Sequence, residues 1–536
     1  MNASCFCTIL SMFFRIASSS LTSPSQEAWT SPTRTFLKSF TLQIAQVPTP
    51  VPSYTLFANS FMDGCITPLG GQLMTDYDLI IKNGRVVTQS DTFEADIGVK
   101  EEQIATISNN LEDELGDTVI DASGRYVLPG GIDVHVHLQL PFSGTISADD
   151  FENGTKAAAC GGVTTVIDFA IQTKGKPIMD AIEARRAEAD SKVCIDYGLH
   201  AAITDWNPET QAEIKKVIDY GIPTFKMFMI YKNEGWMADD GMLYSALEET
   251  AKHGGHIGVH AESVFVLEML IERYAAEKEK WGAYGHTLSR PCVTEKEAVV
   301  RAIKWAEVTG GQLYIVHMST GEAADAVHAA KDRGVRVYAE TCPQYLLLND
   351  DVFKQDDGHL YATCPQVKKP HDNERLWEGL ATGDVQIVAT DTCTFTTEQK
   401  AAWNGDFRKI PFGMPGVETM VPLMYTEGVG KRGWSVNHLV SLVSSNPAKL
   451  FGLYPEKGTV TVGADADLVI FDPEKKVTLK AEDLQTNCDW SPYQGWKLTG
   501  YPSVTISRGE IVAKDGKFVG EVGHGRFIKR RPQGHL

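Results

Sequence analysis

Gly131-Ile132-Asp133-Val134-His135-Val136-His137-Leu138 is an apolar, β-branched run with two histidines two positions apart. Side chains alternate between faces along a strand, so both imidazoles belong to one side. Seven runs of similar character follow: GVTTVIDFA (162–170), DYGLHAAI (196–203), PTFKMFMI (223–230), HIGVHAES (256–263), QLYIVHMST (312–320), VRVYAETC (335–342) and VQIVATDT (385–392). Runs without polar alternation are the mark of parallel strands buried on both faces. Segments between them, such as 179–190 and 294–309, carry helical periodicity. Eight strands alternating with helices predict an α/β fold, a closed (β/α)8 barrel.

The flanks read differently. Residues 78–108 are short alternating strands with a turn at Asn83-Gly84, and 464–473 and 503–520 repeat that character, breaking at Asp515-Gly516. Strand-rich pieces at both ends of a helix-rich middle predict a small β-sandwich built from the two ends. The expected division is an extension over 1–73, sandwich halves over 74–128 and 453–520, the barrel over 129–452 and a tail over 521–536. The extension is rich in Ser and Thr and has only Glu27 and Asp63 as acids. It reads as a start taken too far upstream rather than a transit peptide. The chain's 536 residues carry a formal net charge of −19 with no block of basic residues, which argues against nucleic acid and acidic membrane as partners. Ten scattered cysteines without a CxxC pair point to a reducing, cytoplasmic setting.

Within the eight runs, ionisable side chains gather at one end. His135 and His137 lie near the end of the first, Lys226 in the fourth, His260 in the fifth, His317 in the sixth and Asp391 in the eighth. In a (β/α)8 barrel that C-terminal end carries the active site. His253 and His256 fall at the opposite end and read as structural, as does His200 inside the third run. Four imidazoles and a carboxylate suit zinc, with cobalt or manganese as substitutes. One metal needs only three protein ligands, so six candidates imply two divalent ions, roughly 3.5 to 4 Å apart in such sites. A lysine ammonium between two cations would be repelled. Lys226, flanked by Phe225, Met227, Phe228 and Met229, is therefore expected as the carbamate formed with carbon dioxide, a bridging carboxylate.

Together, GIDVHVHLQLPFSGT, TFKMFMIYKN, HAES, VHMST, AETCPQYL and SSNPAKLFGLYPEKGTVTVGADADLVIFDP resemble the dihydropyrimidinase and hydantoinase family of the amidohydrolase superfamily over about 76–530. The resemblance implies a TIM-like barrel with a β-sandwich, a binuclear zinc centre and a homotetramer. Its implied reaction is hydrolysis of the ring amide of small neutral dihydropyrimidines or hydantoins to N-carbamoyl amino acids by a metal-bridging hydroxide. It also implies that His135, His137 and Asp391 bind one metal, His260 and His317 the other, and carbamylated Lys226 bridges them. Asp391 becomes the proton shuttle, and Tyr231 faces the substrate carbonyl.

Some positions depart from the family's pattern. Cys364 stands where the family has serine and Phe412 where it commonly has asparagine; both positions are taken to meet the ring largely through backbone atoms. Leu140, Phe142 and Phe228 are expected to form an apolar wall. Thr392 replaces the histidine after Asp391, which puts a supporting hydrogen bond in question. The loop after Tyr231 is altered at Gly235-Trp236, which leaves the ring substituent open. A non-catalytic scaffold would lack these ligand positions. A dihydroorotase would carry a carboxylate-binding arginine where Gln139 stands, and an allantoinase-like hydrolase shares the neutral ring.

Overall fold

The computed structural model describes residues 76–532 and 536, so the extension expected over 1–73 lies outside the described residues. All eight apolar runs form strands: β1 (Gly131–Asp133), β2 (Val163–Ile171), β3 (Asp196–Ala202), β4 (Thr224–Phe228), β5 (His256–His260), β6 (Gln312–Ile315), β7 (Val337–Thr341) and β8 (Ile387–Val388). Each pairs in parallel with its neighbours in chain order. The ring closes between first and last through a parallel bridge from Val136 to Thr392. Helices outside it bury one stripe, as Cys292–Thr309 does with Ala298, Val299, Ala302, Ile303 and Ala306. Among the described residues no helix is long and apolar enough to cross a membrane.

Both flanks join one sheet. Leu468–Thr478 pairs antiparallel with Tyr126–Pro129, setting Leu468 opposite Pro129 and Ile470 opposite Val127. Their core mixes the two ends of the chain: Leu79, Ile97 and Val127 pack with Leu468, Ile470 and Ile506. A buried ionic junction ties this layer to the barrel. Asp196, Asp465 and Asp467 form a carboxylate group of the kind that takes a cation, and the Lys457 ammonium fills it at 2.8, 3.0 and 2.6 Å.

The expected tail is part of the fold. Tyr197 N donates to Arg526 O at 3.0 Å and Ile528 N to Tyr197 O at 2.8 Å, so 526–528 runs beside β3. Gly221, at φ 107°, ends helix Pro208–Tyr220, and a Cβ there would meet Lys529 Cβ at 2.7 Å. Buried Arg530 donates from Nη2 to Thr224 Oγ1 at 2.7 Å and to Leu199 O. His200 Nε2 faces the Val134 carbonyl at 2.9 Å, so that nitrogen must donate. His200 Nδ1 therefore accepts from Thr224 Oγ1 at 2.6 Å. One line of donors thus runs from the tail through the barrel floor to the residue before His135.

Candidate active site

Beyond the hydrogen-bonded part of β1 the chain stays in contact with the end of the ring, where His137 N donates to Thr392 O at 2.8 Å. This path delivers two imidazoles to one carboxylate: His135 Nε2 and His137 Nε2 each stand 3.2 Å from Asp391 Oδ1. Asp391 lies past the end of β8 at φ 52°, His317 past β6 at φ 38° and Tyr231 past β4 at φ 61°. A left-handed conformation costs a residue with a Cβ about 1 kcal/mol or more, and such residues gather where function imposes a direction on a side chain. The His317 ring centre is 4.5 Å from that of His260 and 5.3 Å from that of His135. Lys226 is buried within β4, its Nζ 5.4 Å from the Phe169 ring centre and 5.5 Å from that of Phe228.

Donor atoms of His135, His137 and Asp391 lie within 4.8 Å of one another, and so do those of His260, Glu262 and Cys364. The first trio matches the expected grouping. In the second, Glu262 and Cys364 stand by His260, while His317 joins it as a neighbouring ring. Three buried nitrogens, His135 Nε2, His137 Nδ1 and His317 Nδ1, have no hydrogen-bond partner among the described residues. Buried polar atoms are normally satisfied, so orphaned imidazole nitrogens beside a carboxylate fit a set of metal donors.

The electrostatics agree with that fit. Burial holds His135 and His317 well below the usual histidine range and lowers His260, so each is a neutral base with a lone pair. Burial alone would push Asp391 up, but His135, His137 and Lys226 outweigh it and keep the carboxyl below its ordinary range. For Lys226, burial wins over Asp391 and Glu340 and brings the amine down to about 8. Tyr231 is pushed well above the usual phenol range, by burial first and by the Cys364 thiol beside it second.

His137, Lys226, His260, His317 and Asp391 share one cavity with Leu140, Phe142, Phe228, Tyr231, Cys364 and Phe412. Every substrate-side residue expected from the sequence therefore lines it. Trp236 lines it too, its ring centre 5.5 Å from Phe228 and 5.8 Å from Tyr231. Gln139 is not part of the lining; its backbone N–H is turned to Asp149 O at 2.7 Å. The wall itself is what disfavours an anionic substrate. Among the described residues lining it, Lys226 is the one side chain besides imidazoles able to carry positive charge. Thr392 keeps a supporting role: Gly416 N donates to its Oγ1 at 3.1 Å, and its carbonyl holds His137.

Comparison with known proteins agrees with this geometry. The amidohydrolase family model matches residues 126–512, more than half of the chain. The chain belongs to the amidohydrolase family. Within that family it is 44% identical to a D-hydantoinase of Geobacillus stearothermophilus over 461 residues, 85% of this chain and 97% of that one. It is 40% identical to a D-hydantoinase of Streptomyces coelicolor, over 84% of this chain and 97% of that one. The crystal structure of a dihydropyrimidinase from Brevibacillus agri superposes with a TM-score of 0.83 at 39% identity, covering 85% of this chain and 99% of that one. This amidohydrolase thus stands in the hydantoinase and dihydropyrimidinase branch.

Sequence reasoning missed the groups behind the candidate ligands. Glu340 accepts from Tyr314 Oη at 2.7 Å and His317 N at 3.0 Å and meets His135 Nδ1; burial pushes its carboxyl up to about 7. Asp133 accepts from Thr390 Oγ1 at 2.5 Å and His135 N at 3.2 Å, tying β1 to the turn that carries Asp391. Glu262 sits 2.8 Å from His260 Nε2 and 3.2 Å from Arg290 Nη1; Arg290 outweighs the burial and holds it well below the carboxylate range. A signal existed for two of them. Asp133 and Glu262 each stand two positions from a candidate histidine in one run, and so on the same strand face.

Proposed function

We propose that this protein hydrolyses the ring amide of a small neutral cyclic amide, a dihydropyrimidine or a hydantoin, to an N-carbamoyl amino acid. The observation that carries the reading is the meeting of His135 and His137 on Asp391 in a cavity walled mainly by Leu140, Phe142, Phe228 and Phe412. His135, His137 and Asp391 would hold one divalent cation, His260 and His317 a second, and Lys226, as its carbamate with carbon dioxide, would stand between them. This donor set best suits zinc. Two such cations, when bound, lower the proton affinity of water and polarise a carbonyl.

The chain's own groups account for the protons and the developing charge. Asp391, kept ionised by its imidazole neighbours, takes a proton from the attacking water and returns it to the ring nitrogen as the C–N bond breaks. Tyr231 stays protonated and donates to the carbonyl oxygen as it becomes negative. With its amine lowered to about 8, Lys226 supplies the free base that reacts with carbon dioxide. The homotetramer implied by the resemblance needs an association surface, and the exposed apolar side chains of helix Val264–Ala275, Phe265 and Met269 among them, offer one. A cytoplasmic setting has support in the described cysteines, all unpaired.

Metal analysis with a substrate panel tests the reading. Two metals per chain are expected, with turnover of dihydrouracil or hydantoin. Dihydroorotate should lag by a factor of about 10³, because its carboxylate would be desolvated without a cationic partner at several kcal/mol. A metal-free chain, or comparable kcat/KM for dihydroorotate, would overturn it. Allantoin turned over fastest would move the assignment to an allantoinase-like hydrolase.

A further inference from the structure

Lys400 lies in the short helix Thr397–Ala401, is fully buried, and takes no part in the chemistry above. No carboxylate pairs with it among the described residues. Its ionisable neighbours are the thiols of Cys393 and Cys488 and the imidazole of His359. Burial brings its amine down to about 7, and the Trp490 ring centre is 5.7 Å from Nζ. An unpaired buried ammonium is costly, and a fold keeps one where its donors have a task.

That task is visible in its two partners. Nζ donates to Ala362 O at 3.2 Å and to Pro411 O at 3.0 Å. Each carbonyl immediately precedes a piece of the cavity wall: Thr363 and Cys364 follow the first, Phe412 and Gly413 the second. Outside Lys400, one direct backbone bond joins these walls among the described residues, Gly413 N to Ala362 O at 2.9 Å. Tyr345 Oη donates to Pro365 O at 2.7 Å and holds the first wall alone, while His286 donates from Nε2 to Thr363 O at 2.8 Å and packs its ring 4.8 Å from that of Phe412, a contact that touches the second wall without a hydrogen bond. The second wall is pressed close to the turn that carries Asp391, since a Cβ on Gly413 would stand 2.2 Å from Cys393 O.

We propose that Lys400 is a positioning residue that clamps the 361–365 and 411–413 segments together and so sets the width of the slot that receives the substrate ring. The inference rests on the proposed function, because it takes the cavity to be the ring's site. A slot that fits the ring equally well before and during reaction contributes uniform binding, whose loss appears in KM rather than in kcat.

The test is Lys400→Met, which keeps an unbranched stem out to the Cε position and removes the donors. KM for dihydrouracil or hydantoin should rise about tenfold or more while kcat stays within about threefold and metal content is unchanged. Hydrogen exchange at the Gly413 amide reads the clamp without substrate and should speed up about tenfold or more. Should Lys400→Met prove insoluble, Lys400→Gln, one bond too short to reach both carbonyls, replaces it with the same expectations. An unchanged KM in an active variant, or unchanged exchange at Gly413, would overturn the clamp. So would a fall in kcat together with loss of metal, which marks general disruption. If the unsubstituted protein hydrolyses neither ring, the proposed function fails and the Gly413 exchange alone decides the clamp.

Discussion

Among the described residues, six histidines stand inside the barrel in two tiers that share a residue type but not a role. In the upper tier the imidazoles of His135, His137 and His260 meet carboxylates, Asp391, Glu340 and Glu262, and the His317 ring stands 4.5 Å from that of His260 while its backbone N donates to Glu340. The lower tier, His200 and His256, meets none. His200 bonds a backbone carbonyl and a threonine hydroxyl, and His256 packs 5.3 Å from the Phe451 ring and 6.1 Å from that of Tyr314. Burial lowers the proton affinity of members of both tiers, His135 and His317 above, His200 and His256 below. A depressed histidine pKa therefore does not separate a ligand from a floor residue. Contact with carboxylates at the C-terminal mouth does so for His135, His137 and His260, and a positive φ sets His317 apart.

The sharpest way to break this comparison is to alter the carboxylate on which the upper tier converges. Asp391→Asn keeps an oxygen donor but cannot accept a proton, so turnover should fall by about 10³ to 10⁴ while substantial metal remains. Activity within tenfold of the unsubstituted protein, measured on dihydrouracil beside the metal content, would remove Asp391 as proton carrier. Lys226→Ala tests the bridge. Without an anion between the two cations, metal and activity should be lost together, and a short carboxylic acid added to the assay should restore part of both. Two retained metals with normal turnover would count against the carbamate. Tyr231→Phe tests the rim: removing one donor to a developing oxyanion typically costs about 10² to 10³ in rate. Here kcat should fall with metal content unchanged, and a kcat within threefold would leave Tyr231 a packing residue.

The same comparison shows what the sequence disclosed. The barrel and the gathering of the candidate ligands at one end were legible because each rests on periodicity: eight unalternating runs, and histidines near their ends. Asp391 was found as a residue type, but its backbone was not, because 385–392 reads as one strand whereas the regular strand ends at Val388. Asp133 draws the following turn inward by accepting from Thr390 N at 3.1 Å and Oγ1 at 2.5 Å, and no pattern of residue types reports such a turn. The tie between the lower tier and the C-terminal tail was hidden for a different reason. Arg530 and Thr224 are 306 positions apart, and nothing local in either segment signals their bond.

The smallest expected effect sharpens the contrast from below. His256 is buried, and neither ring nitrogen has a hydrogen-bond partner among the described residues. Burial, reinforced by the Arg530 charge, brings its pKa to about 3 in the folded protein, against about 6.5 for an unfolded chain. Between those values the unfolded chain binds a proton that the folded one refuses. Stability linked to His256 is thus fully present above about pH 6.5 and is lost as pH falls toward 3, by about 1.4 kcal/mol for each pH unit. His256→Leu should remove that share of the slope, seen in urea midpoints between pH 6.5 and 4.5, and leave kcat at pH 8 within about threefold. If turnover instead drops tenfold while the acid slope is unchanged, His256 belongs with the upper tier in function, and partner chemistry fails as the rule that separates the two.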